Sequence, residues 1–188
     1  MHVVKGVFTS ARPAKVDEVL EFGDSYVVAP FADAHMHGFD NPDAIAASAE
    51  TYLREGIFYA MSLANSIRGR KAAAALVNHP GSVDVAYADA VLTSTRGHPI
   101  MSAEMTANQW SWDTLGARWQ DLLNSRKAEG DVYFVIDNLA DVERQWSRII
   151  ASHPDIIKIM ILDIERDAVQ RANAGALGVV GLPPDVVP

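Results

Sequence analysis

Two histidines one residue apart, His35 and His37, follow the apolar run Ser25-Tyr26-Val27-Val28-Ala29-Pro30-Phe31-Ala32, with Asp33 two positions before the first. Side chains on an extended chain alternate with period two, so both imidazoles project to one side and can reach one ion. Imidazole suits zinc and neighbouring first-row metals, and the carboxyl ends of parallel strands are where such sites are built. A His-x-His in a loop is usually coincidence; the buried strand expected before this pair turns the reading toward ligands. Asp33 would either share their orientation or anchor the turn through its carboxylate. A second unusual residue is Lys158, a lone cation inside Asp155-Ile156-Ile157-Lys158-Ile159-Met160-Ile161-Leu162. Burying it charged is costly, so it needs a partner or a changed chemical state, unless it snorkels from the strand end or pairs with Asp163.

The elements that must position these residues alternate in the manner of βα units around a parallel sheet. The run over residues 25–32 is apolar almost throughout and stops at Asp33, which suits a buried parallel strand. Asn41 to Glu55 carries Ile45, Ala49, Tyr52 and Leu53 at helical spacing, with Gly56 to end the helix. Ile57 to Leu63 reads as a strand, Ile67 to Asn78 as a helix, and Val83 to Ala88 as a third strand after the turn His79-Pro80-Gly81. A long loop is expected from Thr93 to Ser111, then a helix near Trp112 to Ala128 and a strand over 132–136. Leu139, Val142, Trp146, Ile149 and Ile150 predict one inward helical face, and Ile156 to Leu162 is the most β-patterned run. After Asp163 the pattern fades, and residues 181–188 look like the start of another helix. Residues 1–24 are the only candidate for a separate element.

Composition removes several function classes. The chain has 188 residues, 49% hydrophobic and 21% charged, enough for a cored domain and unlike a disordered chain. A net charge of −8 disfavours nucleic-acid binding, which needs clustered cations. The densest basic stretch, Arg68-Gly69-Arg70-Lys71, reads as a solvated helix face. There is no cysteine, so disulfides, thiol nucleophiles and Cys-based zinc sites are excluded. No stretch has the roughly 20 apolar residues of a membrane span, and the start of the chain lacks a secretory core. As written, the chain reads as soluble and cytoplasmic, with export open should a leader precede it. Trp110, Trp112, Trp119 and Trp146 are assigned to packing rather than to a binding platform, and His79 and His153, each before a proline, receive no chemistry.

Pro30-Phe31-Ala32-Asp33-Ala34-His35-Met36-His37-Gly38 resembles the first-strand signature of the amidohydrolase superfamily, lacking a glycine after the proline and with Ala32 in place of a larger aliphatic. Tyr52-Leu53-Arg54-Glu55-Gly56-Ile57-Phe58 is similar to that family's helix, glycine and second strand. Asp155 to Met160 resembles the fourth-strand segment of members whose lysine is carboxylated and bridges two metals. Thr93-Ser94-Thr95-Arg96-Gly97-His98-Pro99 resembles a Gly-Gly-His segment of the prolidase-like and imidazolonepropionase-like branches, with Arg96 at the first glycine. The resemblance implies metal ligation by His35, His37 and Lys158, with one or two divalent ions, zinc first and iron or manganese as alternatives. It also implies substrate contacts by His98 and by Arg96 as an anion partner; a plain loop histidine before a turn proline is the alternative for His98.

The implied fold is α/β: a partial (β/α)8 TIM-like barrel holding the first four or so βα units, with residues 1–24 as the remnant of an N-terminal β element and 25–188 as the incomplete barrel portion. The implied activity is hydrolysis of a C–N bond in a small amide, cyclic amide or peptide-like substrate by a metal-activated water. A full barrel needs about 250 residues, so the family's later histidines and aspartate have no place here, and no catalytic residue is assigned within the chain. An unclosed sheet would need more chain, a partner or a homo-oligomer to cover its edge. The competing expectation is a metal-poor binding or assembly module. A flavodoxin-like open sheet is disfavoured by the missing Gly-rich phosphate loop.

Overall fold

The computed structural model describes residues 1–161. It is a mixed α/β structure with parallel sheets, preceded by an antiparallel hairpin of β1 (His2–Val4) and β2 (Val7–Thr9). The expectations for Leu162, for Asp163 as a partner of Lys158, and for the fading C-terminal segment lie outside the described residues.

Parallel pairing orders β3 (Phe31–Met36), β4 (Ile57–Ser62) and β5 (Asp84–Tyr87) as β3-β4-β5. The connections are α1 (Pro42–Arg54) and α2 (Ile67–Ala73), the latter continued by a tighter turn over Ala74–Leu76. The Asn41 side chain accepts the Asp43 N–H at the start of α1, with Pro42 in the first turn. Gly56, at φ 78°, turns the chain out of the helix into β4. Ile45 and Ala49 face a core of Phe39, Ala60, Val83 and Val85.

The first strand differs from its expectation. It begins at Phe31 and runs through His35 to Met36; residues 25–30 are not strand, and Tyr26, Val27 and Val28 are exposed. β3 is an edge strand, and Phe31 itself is 62% exposed. An apolar run without alternation suits a strand covered on both faces, but among the described residues β4 alone pairs with it.

A second parallel pair, β6 (Val91–Thr93) and β7 (Tyr133–Val135), follows a kink at Asp89, whose φ is 55°. On the opposite side of β6, Leu92 donates to the Lys158 carbonyl at 2.9 Å and accepts from Met160 N–H at 2.9 Å. The alternation of these bonds with those of Val91 and Thr93 to the β7 side makes β6 a central strand. The segment expected as the strongest strand is thus a single bridge, Leu92 to Ile159. The same segment also reaches β5, where the Asp155 and Ile156 N–H groups donate to the Tyr87 carbonyl at 2.8 and 3.3 Å, so it runs along β5 and β6 together.

The expected loop from Thr93 to Ser111 contains α3 (Ile100–Ala107), which buries Ile100, Ala103, Glu104 and Met105. The expected helix after Trp112 is α4 (Leu115–Asn124), entered through a tight turn at Trp112–Thr114. α5 (Leu139–Ile149) has the predicted position, yet it buries Asp141, Gln145 and Ile149 and leaves Leu139 and Trp146 exposed. Polar anchoring rotates it: Gln145 donates to the Val135 carbonyl at 2.7 Å, and Asp141 accepts from Asp137 N–H at 3.0 Å. Trp112 is also exposed, and Trp110 lies under the Arg118 guanidinium, so these indoles do not fill the core. Arg70, expected on a solvated face, reaches inward to buried Asp89 at 2.8 Å and to the Ser152 carbonyl at 3.1 Å. Its neighbour Gly69 packs so tightly that an added Cβ would fall 2.3 Å from the Asp40 carbonyl oxygen.

Candidate functional site

The alternation at the end of β3 brings the His35 and His37 rings together, with centroids 5.2 Å apart and planes at 66°. Two imidazoles sharing one tetrahedral ion at about 2.1 Å would place their ring centres about 5 Å apart, which is the separation of this pair. Both are exposed. Asp33 anchors the turn: its carboxylate accepts the His35 N–H at 3.0 Å and the Tyr52 hydroxyl at 2.7 Å. Those two hydrogen bonds hold its acid below the usual carboxylate range, the His35 amide contributing most and Tyr52 next. Burial, and then the facing Asp33 carboxylate, push the Tyr52 phenol up to about 12.

His98 follows β6 in the chain. Partial burial lowers its basicity first, and the charges of His37 and then of Lys158 lower it further, so each of the two lies within electrostatic reach of His98. His35 joins this neighbourhood through its ring contact with His37. Lys158 is half-buried, and its carbonyl is fixed by Leu92. Arg96 is not drawn in: it is exposed, sits at φ 65°, and makes no hydrogen bond or ion pair among the described residues. A left-handed backbone favours glycine, the residue the resembled segment has at this position.

The turn that carries His98 is shaped by Gly97, where a Cβ would meet Thr93 Oγ1 at 2.1 Å and the Ser94 carbonyl oxygen at 2.9 Å. The His98–Pro99 peptide is cis. Asp137, at the end of β7, clamps the same turn by accepting Thr95 N–H at 2.7 Å and Thr95 Oγ1–H at 2.6 Å. Sequence reasoning assigned no role to Asp137 and did not pair Tyr52 with Asp33. A signal existed for Asp137, an acidic residue directly after an apolar strand, the same placement that marked Asp33. For Tyr52 none did, since its partner is 19 residues away.

Among the described residues no group of three or more His, Cys, Asp or Glu gathers as a metal site would require. The two side chains there that could hold an ion are the His35 and His37 imidazoles. On the far side of the Thr95 turn lies an open, polar cavity of about 360 Å3. It is lined by Arg126, Arg144 and Arg148 together with Glu129, Asp137 and Asp141, and by none of His35, His37, His98 and Lys158.

No family model and no curated protein matches the chain. Among solved structures, the crystal structure of A. niger ochratoxinase is similar at 19% sequence identity and a TM-score of 0.46, over 70% of this chain and 33% of that one. This chain spans about a third of that enzyme's length. No helix among the described residues is long and apolar enough to cross a membrane.

Proposed function

We propose that the chain is a portion of an amidohydrolase-like, metal-dependent hydrolase acting on the C–N bond of a small amide, cyclic amide or peptide-like substrate. The observation that carries this reading is the His35–His37 ring pair at the end of β3, with His98 within electrostatic reach of His37 and of Lys158, on three segments that each resemble a separate part of that family's signature. The sequential addition of β3, β4 and β5 supports a barrel portion over 25–188, with 1–24 as the remnant of an N-terminal β element.

His35 and His37 would hold one divalent ion, zinc first and iron or manganese next, with Lys158 joining as a carbamate and allowing a second. A divalent ion held there supplies Lewis acidity and a water of lowered pKa. The chain's own residues do the rest of what this portion can do. The Asp33 carboxylate, engaged by Tyr52, orders the backbone of His35. His98 offers a ring nitrogen to orient a substrate carbonyl. Exposed Arg96 would receive a substrate carboxylate.

Metal content of the purified chain, prepared with bicarbonate, tests the reading beside a His35→Ala/His37→Ala double variant. Stoichiometric zinc, iron or manganese that the variant loses is expected. No bound metal in either protein would favour the second reading, a metal-poor binding or assembly module. The observation favouring that alternative is the two-residue limit of His and carboxylate donors among the described residues.

A further inference from the structure

β3 is held unevenly. Its ladder with β4 pairs Phe31 to Asp33 and resumes at Met36 after a register shift, so Ala34 and His35 have no ladder partner. Both are exposed. Among the described residues the backbone N–H of His35 is satisfied by the Asp33 Oδ1, two residues back, at 3.0 Å. Such a turn is only as firm as the carboxylate that makes it, because the last torsion of an aspartate is broad. The second oxygen of that carboxylate receives the Tyr52 hydroxyl at 2.7 Å. The tyrosine ring in turn stands edge-on to Phe39, with centroids 5.4 Å apart, and Phe39 is fully buried in the first core.

We propose that Tyr52 is a positioning residue, which sets the orientation of His35 through Asp33 and ties that exposed imidazole to the core. With one carboxylate oxygen taken by the phenol, the other is directed at the His35 amide, and the ring follows its backbone. The phenol is pushed up to about 12 by burial and by Asp33, so it keeps its donor proton throughout the neutral range. The inference deepens the metal-centre reading and rests on it for its consequence, since partners that orient a ligand commonly change metal affinity about 10- to 100-fold.

Zinc titration of the full chain, with thermal midpoints alongside, tests it. Tyr52→Phe keeps the ring against Phe39 and removes the hydroxyl. It should weaken zinc binding about ten-fold and leave the midpoint nearly unchanged. Asp33→Ala should weaken binding as much, with no further loss when Tyr52→Phe is added, and Asp33→Asn, which keeps an acceptor for the His35 amide, should recover most of the affinity. Parent-like zinc binding by Tyr52→Phe overturns the proposal while leaving the metal centre standing, as does an additive loss in the double variant. If the parent itself binds no zinc, the metal reading fails. Hydrogen exchange of the His35 amide then decides: about ten-fold faster exchange in Tyr52→Phe upholds the positioning role, and unchanged exchange refutes it.

Discussion

A carboxylate receiving a tyrosine hydroxyl occurs twice in the described residues, in opposite surroundings. Glu104 on α3 is fully buried and accepts from Tyr133 at 2.6 Å, from the Ala128 and Lys127 amides at 2.9 and 3.0 Å, and from Ser125 Oγ. Asp33 accepts from Tyr52 at nearly the same distance, but on an exposed edge and with one other donor. The first carboxylate closes the loop between α4 and β7 onto α3. The second orders one turn beside His35. Identical groups therefore serve packing where water is excluded and orientation where it is not, because an unsatisfied partner is costly only where solvent cannot replace it.

The largest effect should follow loss of the buried member. Glu104→Ala strands the Tyr133 hydroxyl and two backbone amides, and should cost about 3–5 kcal/mol of stability, read as a fall in the denaturation midpoint. A variant within about 1 kcal/mol of the parent would erase the distinction between the two carboxylates.

The same contrast should appear in acid. Burial raises the Glu104 acid, but its hydrogen bonds, that from Ser125 foremost and then those from Tyr133, Ala128 and Lys127, outweigh it and leave the group below its ordinary 4.5. A depressed pKa in the folded state contributes stability that is complete above the unfolded value and is lost as pH falls through the folded one. Stability should decline below pH 4.5, and Glu104→Gln should flatten that decline. An equally steep decline in the variant would move the acid sensitivity elsewhere.

Gly97 offers an intermediate test, since it lies between a packed strand end and the exposed His98. Gly97→Ala drives a Cβ against Thr93 Oγ1 and the Ser94 backbone. It should cost about 1–3 kcal/mol and shift the His98 ring signals in a nuclear magnetic resonance spectrum. An unchanged His98 environment would show that the turn can yield without moving its histidine.

How much of this was legible depended on whether a local pattern or a distant partner decides. α1 was readable from Ile45, Ala49 and Gly56, and β4 and β5 from short apolar runs, since their packing follows their own periodicity. β3 was misplaced because apolar content over 25–30 implied a cover that the described residues do not provide. α3 was missed because its inner face carries Glu104, whose partners lie 21 to 29 residues ahead. The burial of α5 was rotated for the same reason, through Asp141 and Gln145. At the candidate site, the histidines and their spacing were visible, and the partners that Tyr52 gives to Asp33 and Asp137 gives to Thr95 were not.

The smallest stability effect should come from the exposed carboxylate, and its smallness is the point. Asp33→Ala loses two hydrogen bonds, but both donors lie where water can reach or nearly reach them, so the expected cost is below about 1 kcal/mol. A near-silent denaturation curve combined with altered His35 exchange would sharpen the contrast with Glu104, because only orientation would have changed. A loss approaching that of Glu104→Ala would instead make Asp33 a structural clamp of β3 on α1, and the exposed end of β3 would have to be read as packing chemistry like the rest of the sheet.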